Sequence, residues 1–303
     1  TAYVTLQENN AIAIVDIPSA RVTSIKSLGF KDHSLANMGL DASDEDGGTN
    51  TNSGTPAVKI TPQPVKGMYL PDAIATFSIG STTYLITANE GDARADWPGF
   101  NEETRVRAHC TAGLDPGVFA DAANLILDSN LGRLRITTTP NGGKAGKNAA
   151  GQCNELYSFG GRSFSIWTTD IQRVYDSGDE IEQRTKALSM VTFNASHDNN
   201  TLDGRSPAKG PEPEGVVTAR FGSKTFAFIG LERVGGVMVY DISNPSAPTY
   251  VTYLNTRSAN SGDRGPEGLA FIASDKSPNG RPLLIVGNEI SGTTAIYQIN
   301  LTY

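Results

Sequence analysis

One short phrase recurs along this chain, and that recurrence restricts the fold more than any single residue does. Its fullest copy begins Pro266-Glu267-Gly268-Leu269-Ala270-Phe271-Ile272, where a Pro-acid-Gly corner opens an apolar strand. A second strand, Leu283 to Asn288, runs into Glu289, and a third, Thr293 to Ile299, follows a Ser-Gly turn. An earlier copy starts at Pro213-Glu214-Gly215, passes through Thr225–Leu231 into Glu232, and closes with Val237–Ile242. Before it, Pro71-Asp72-Ala73 leads through Tyr84–Asn89 into Glu90. The first copy lacks its opening strand: Ala2–Leu6 runs to Glu8, and Ala11–Ile17 follows. Asp72 to Glu90 and Glu214 to Glu232 are both eighteen positions apart; the turn Ser277-Pro278-Asn279-Gly280 lengthens the last copy.

Repeated units of short strands, bounded by Gly, Pro, Asn and Asp, predict an all-β chain built as a β-propeller of about four blades. No unit buries both of its own faces, so neighbours must stack. Equivalent points of a radial array form a ring. Asp72, Glu214 and Glu267 are therefore expected at one end of the axis, with Glu8, Glu90, Glu232 and Glu289 close by. Clustered carboxylates repel and are costly to desolvate unless paired. Two readings stay open: a hard cation with oxygen ligands, of which calcium is the expected one, or acids that each tie down a loop through backbone N–H groups or an arginine.

The length of 303 residues suits one domain, 1–303, and the net charge of −7 argues against a nucleic-acid surface. No apolar run is long enough to span a membrane as a helix. The chain opens inside a strand without Met, as a processed or partial product would. Cys110 and Cys153 flank one irregular region, which sets up a disulfide in an extracellular protein or leaves two unpaired thiols. Glycosylation sequons stand at Asn194, Asn199 and Asn300.

Strands are predicted at Ala2–Leu6, Ala11–Ile17 and Val22–Leu28, and two more within residues 72–90. The loop Asp41-Ala42-Ser43-Asp44-Glu45-Asp46-Gly47-Gly48 is either solvated or a local calcium site through Asp41, Asp44 and Asp46; it lacks the distal Glu and flanking helices of an EF-hand. Residues 91–156 break the repeat and are predicted to be an insertion within the second blade, with a helix over Phe119–Asn130 and a strand over Leu131–Thr138. Inside it, Gly142–Asn148 superficially resembles a phosphate loop but lacks the required spacing and the following Ser/Thr, and is predicted to be a turn. Tyr157–Trp167 returns to the sheet, a short helix spans Asp179–Leu188, and the final strand is Ala295–Leu301, leaving the last unit without an outer strand.

No Gly-x-Ser-x-Gly elbow is present, and His33, His109 and His197 are too scattered for a zinc motif. What remains is acid-rich loops carrying arginines. Glu90, Asp92, Glu214, Glu232, Glu267 and Glu289 could hold metal while Arg94, Arg162 or Arg233 grips phosphate, or the same residues could form salt-bridged loops at a rim.

Long stretches carry a resemblance. YVTLQENNAIAIVDI (Tyr3–Ile17), KDHS (Lys31–Ser34), ANEGDAR (Ala88–Arg94), FNEETRV (Phe100–Val106), KGPEPEG (Lys209–Gly215), AFIGLERVGGVMVYDI (Ala227–Ile242), GPEGL (Gly265–Leu269) and Ser277–Tyr297 are similar to the choice-of-anchor I family. That family includes mesenchyme-specific cell surface glycoproteins and bacterial proteins described as alkaline-phosphatase-like. The resemblance implies the C-terminal part of a longer, seven-bladed-type propeller, secreted or surface-anchored and calcium-associated. Expected partners are the remaining N-terminal blades or another chain, including a homo-oligomer or filament built through incomplete terminal units. A structural or matrix role leads; a calcium-dependent phosphoesterase and a strand-edge assembly module are the alternatives.

Overall fold

The computed structural model describes residues 1–47, 55–139 and 146–300. The chain is all-β, with several sheets and a few short helices. The first sheet joins β1 (Ala2–Leu6), β2 (Ala11–Asp16) and β3 (Arg21–Ser27) as an antiparallel meander. Short strands β4 (Phe30–Asp32) and β5 (Lys66–Met68) follow, then the hairpin of β6 (Ile74–Ile79) and β7 (Thr82–Ala88).

The chain between β7 and the next long strand pairs elsewhere. It forms β8 (Glu103–Arg105), helices α1 (Val106–His109) and α2 (Ala122–Leu125), β9 (Arg135–Thr137) and β10 (Tyr157–Phe159). With β4 and β5 these make a sheet of order β4-β5-β10-β9-β8, in which β10 lies parallel to β5. Its own core holds Leu40, Val65, Val106, Leu114, Phe119, Leu131 and Ile136 around the Cys110–Cys153 disulfide. That bridge spans 43 positions, which constrains the unfolded chain by about 4 kcal/mol.

β11 (Phe164–Thr168) and β12 (Arg173–Asp176) then return to β7, giving the order β12-β11-β7-β6. After α3 (Glu180–Ala187), β13 (Pro213–Phe221), β14 (Lys224–Leu231), β15 (Val237–Asp241) and β16 (Thr249–Leu254) form a four-stranded meander. β17 (Pro266–Ile272), β18 (Leu283–Asn288) and β19 (Thr293–Gln298) close the series as a three-stranded one. β13 packs against both β6 and β17, so consecutive sheets stack in chain order.

Their apolar rows meet in two cores. Phe164, Ile166, Ile229 and Tyr240 lie between the third and fourth sheets, and Phe228, Val239, Leu284 and Val286 between the fourth and last. Burying each such side chain contributes about 1.5–3 kcal/mol.

The repeated Pro-Glu-Gly corner is a β-bulge. Pairing jumps from Pro213↔Leu231 to Val216↔Ile229, and from Pro266↔Asn288 to Leu269↔Val286. A bulge re-aims the side chain it carries, here Glu214 and Glu267. Gly215 is required for a second reason: a Cβ there would stand 2.4 Å from Leu269 Cδ1 and 2.5 Å from the Glu267 carbonyl oxygen.

Several expected elements are shorter than predicted. Of Phe119–Asn130 only Ala122–Leu125 is helical, and of Leu131–Thr138 only Arg135–Thr137 is strand. The Asp128-Ser129-Asn130 run favours a turn over continued helix, and the Leu131 N–H bonds back to the Leu125 carbonyl. β19 ends at Gln298; Leu301 lies outside the described residues, as do Gly48 and most of the Gly142–Asn148 turn.

Candidate functional site

The acids predicted to converge sit where β7, β13, β14, β17 and β18 begin or end, because the repeat puts them at the same strand termini. Their centre is a buried cation, Lys209. Its ammonium lies 2.6 Å from Glu90 Oε1, 3.0 Å from Glu212 Oε2 and 3.6 Å from Asp92 Oδ1. Burial opposes the charge on Lys209, but Glu212, Glu90 and Asp92 overrule it and hold the ammonium above its usual range. Glu212 also accepts from Arg205 and from Arg233 Nε at 2.9 Å. Burial favours protonation of Glu212, and Lys209, Arg205 and Arg233 reverse it, holding the carboxyl well below the usual carboxylate range. Gln7 Nε2 donates to Glu90 Oε2 at 2.5 Å, tying the first sheet to this hub.

Among the described residues two sets of side chains have metal-ligand proximity, and each lies against a protein cation. Glu90, Glu212 and Glu232 surround Lys209 and Arg233. In the set His197, Glu232 and Glu289, His197 Nδ1 is 2.9 Å from Glu232 Oε1, and Arg233 Nη1 lies 2.8 Å and 2.5 Å from the two ring nitrogens.

Glu214, two residues from Glu212, differs. Its buried Oε2 has no hydrogen-bond partner. Burial pushes its carboxyl up to about 10, and the carboxylates of Glu232, Glu90, Asp72 and Glu267 push the same way. Burial likewise raises Asp72, helped by Asp92 and Glu232. Lys209 acts on Asp72 and Arg233 pairs with Glu232, but no donor reaches Glu214 Oε2, and a buried carboxylate oxygen of this kind is a hard-cation ligand type.

The structure thus brings Asp72, Glu90, Asp92, Glu214, Glu232 and Glu267 into one electrostatic group, with Glu289 beside it through His197. Glu8 faces Arg94 instead. The Asp-rich loop points elsewhere and divides: Asp44 pairs with Arg133, while Asp41 and Asp46 turn inward, Asp46 accepting from the Ala57 N–H at 2.7 Å.

The three arginines considered for phosphate are committed to the protein. Arg94 forks onto Glu102 at 3.0 Å through both nitrogens, and Arg233 serves Glu212, Glu232 and His197. Arg162 is buried and donates to Glu182 and to the carbonyls of Asp41, Ser206 and Ala208. Of the sequons, Asn199 is exposed and Asn300 is exposed with its Thr302 outside the described residues. Asn194 corrects the expectation: it is fully buried, with Nδ2 donating 2.7 Å bonds to Glu182 and Ser206, so it cannot carry a glycan in this fold.

Lys209, Glu212, Arg205 and His197 were not singled out by sequence reasoning. Lys209 and Glu212 stand three apart in the KGPEPEG phrase, the one signal that could have found them.

Fold and site define an all-β protein of serially stacked, mostly antiparallel sheets with an acid-rich, cation-bridged hub beside its strand termini. The chain belongs to the choice-of-anchor I domain family, whose model matches residues 1–245. Gigasin-3a of Magallana gigas is 29% identical over 191 residues, covering 57% of this chain and 66% of that protein. The mesenchyme-specific cell surface glycoprotein of Strongylocentrotus purpuratus is 28% identical over 215 residues, covering 60% of this chain and 27% of its own length. Among the described residues no helix is long and apolar enough to cross a membrane.

Proposed function

We propose that this chain is a calcium-binding module of an extracellular or cell-surface protein, acting as a structural, matrix or interaction component. The carrying observation is Glu214 Oε2, a buried carboxylate oxygen without a hydrogen-bond partner in the field of Glu232, Glu90, Asp72 and Glu267. Calcium there would be held by Glu214 with Asp72, Glu232 and Glu267 as the surrounding carboxylates, offsetting the repulsion that raises Glu214. A cell-surface setting accords with the surface-glycoprotein relative and with the disulfide.

The four serial meanders are the blades of a propeller in this reading, and residues 91–156 are an insertion within the second blade. The outward faces of the terminal sheets keep exposed apolar side chains, Val4 and Ile25 at one end and Ile296 at the other. Further blades or a second chain would cover them. The phosphoesterase alternative draws on the same carboxylates, but Arg94, Arg162 and Arg233 are each held by internal acceptors. Calorimetric titration of the chelated protein with calcium tests the reading. Saturable binding whose stoichiometry falls by one ion per chain in Glu214→Gln supports it; stoichiometry undiminished in that variant, or no binding in the parent, refutes it.

A further inference from the structure

A second acid-rich centre lies inside the molecule, behind the hub and between α3, the loop after β4 and the loop before β13. Asp203, Glu182 and Asn194 are completely buried, and Asp41 and Asp46 nearly so. Glu182 Oε1 accepts from Arg162 at 2.8 Å and from Asn194 Nδ2 at 2.7 Å. The Ser206 hydroxyl donates to Asp203 Oδ1 and accepts from Asn194 Nδ2. The backbone carries Asn194 and Asp203 side by side: the Asp203 N–H bonds the Phe193 carbonyl at 2.8 Å and the Arg205 N–H bonds the Asn194 carbonyl at 2.7 Å.

Two oxygens in this centre are buried without a partner, Asp203 Oδ2 and Asn194 Oδ1. Both are acceptors, and leaving such a group buried and unsatisfied is costly. The charge is also unbalanced. Against Asp41, Asp46, Glu182 and Asp203 stand the buried Arg162 guanidinium, the buried Lys31 ammonium, which acts on Glu182 but is paired with Asp176, and the Lys59 ammonium, 3.9 Å from Asp46 on a side chain that is half exposed. Burial pushes Asp203 up to about 8, reinforced by Asp41, Asp46 and Glu182, and burial with Glu182 pushes Asp41 up to about 7.

We propose that a hard divalent cation of the calcium type binds inside the fold with Asp203 Oδ2 and Asn194 Oδ1 among its ligands, in the negative field of Asp41, Asp46 and Glu182. Oxygen-only donors, one of them an amide carbonyl, are the ligand set that calcium takes and that softer metals do not favour. A bridging water would satisfy the two oxygens but leave the charge. A proton on Asp203 Oδ2 would lower the charge by one and turn that oxygen into a donor, so proton and cation compete for this centre, and the calcium count below decides between them.

The site is separate from that at Glu214, so the two can fail independently. The full chain, dialysed against chelator and then calcium, is desalted and its calcium per chain counted for the parent, Asp203→Asn and Glu214→Gln. The expected result is one ion fewer in each variant. An unchanged count in Asp203→Asn overturns the interior site, and an unchanged count in Glu214→Gln overturns the outer one. Should Asp203→Asn not fold, Asp41→Asn decides the matter. It removes one charge from the field while keeping an oxygen for the Lys59 N–H, and is expected to weaken the interior ion severalfold; calcium affinity unaltered in that variant overturns the proposal.

Discussion

The Lys209 hub and the Asp203 interior are both buried and acid-rich, yet they are built on opposite principles. At the hub the chain supplies the cations. Glu212 alone is met by Lys209, Arg205 and Arg233, and its charge is secured. In the interior Arg162 pairs with Glu182 and Lys31 acts on it from its own pair with Asp176, which leaves Asp203 without a pairing cation and two oxygens left over. Proximity of carboxylates therefore does not identify a metal site. The sets with the closest ligand atoms, around Glu232, are filled by lysine and arginine. The better candidates are where the protein's own cations run out, at Glu214 and at Asp203.

The comparison breaks most visibly at Lys209. Lys209→Met leaves Glu90 and Glu212 facing each other without their shared cation, and is expected to cost about 3–5 kcal/mol in denaturant unfolding. A loss below about 1 kcal/mol would mean that the arginines neutralise the hub alone. Gly215→Ala comes next, because its Cβ meets the Glu267 carbonyl and Leu269 at the bulge that aims both acids. A loss of about 1–3 kcal/mol is expected, with weakened calcium binding; intact stability would show that the two sheets separate freely there.

Glu102 sharpens the contrast as an acid that is fully provided for. Burial would raise it, but Arg94, Thr137 and Thr139 outweigh burial and hold it below the usual range. A depressed carboxylate adds stability above its unfolded pKa near 4.3, lost as pH falls through the folded value. Glu102→Gln is therefore expected to cost about 1–2 kcal/mol at pH 7, with the difference from the parent vanishing below pH about 4 in parallel thermal melts. A difference that persists into acid would assign the effect to packing. The smallest effect is a gain: in chelator, Asp203→Asn removes the cost of holding in the fold a carboxyl that burial pushes up to about 8, and is expected to stabilise by about 1 kcal/mol at pH 7. Destabilisation in chelator would mean that Asp203 is already satisfied without a cation.

The strands and the recurring acids were legible because both depend on local signals: alternation, turn residues, and a corner written the same way at Pro213 and Pro266. The meeting of Asp72, Glu214 and Glu267 followed from that repetition. The hub cation was not legible, since Lys209 lies on an irregular loop whose path is set by Arg205, Gly210 and Glu212 contacts and not by any period. The Asp-rich loop misled for the same reason. Asp41, Asp44 and Asp46 look like one ligand set in sequence, but Arg133, 89 positions away, takes Asp44, and α3 with the 203–206 turn receives Asp41. Asn194 read as a surface sequon because a buried amide leaves no mark on local composition.

Crystals grown in calcium separate the filled hub from the two unpartnered oxygens. Ions are expected about 2.3–2.6 Å from Glu214 Oε2 and from Asp203 Oδ2 with Asn194 Oδ1, and none between Glu90 and Glu212, where the Lys209 ammonium sits. Calcium found at the Lys209 hub, or found at neither unpartnered oxygen, would contradict this expectation.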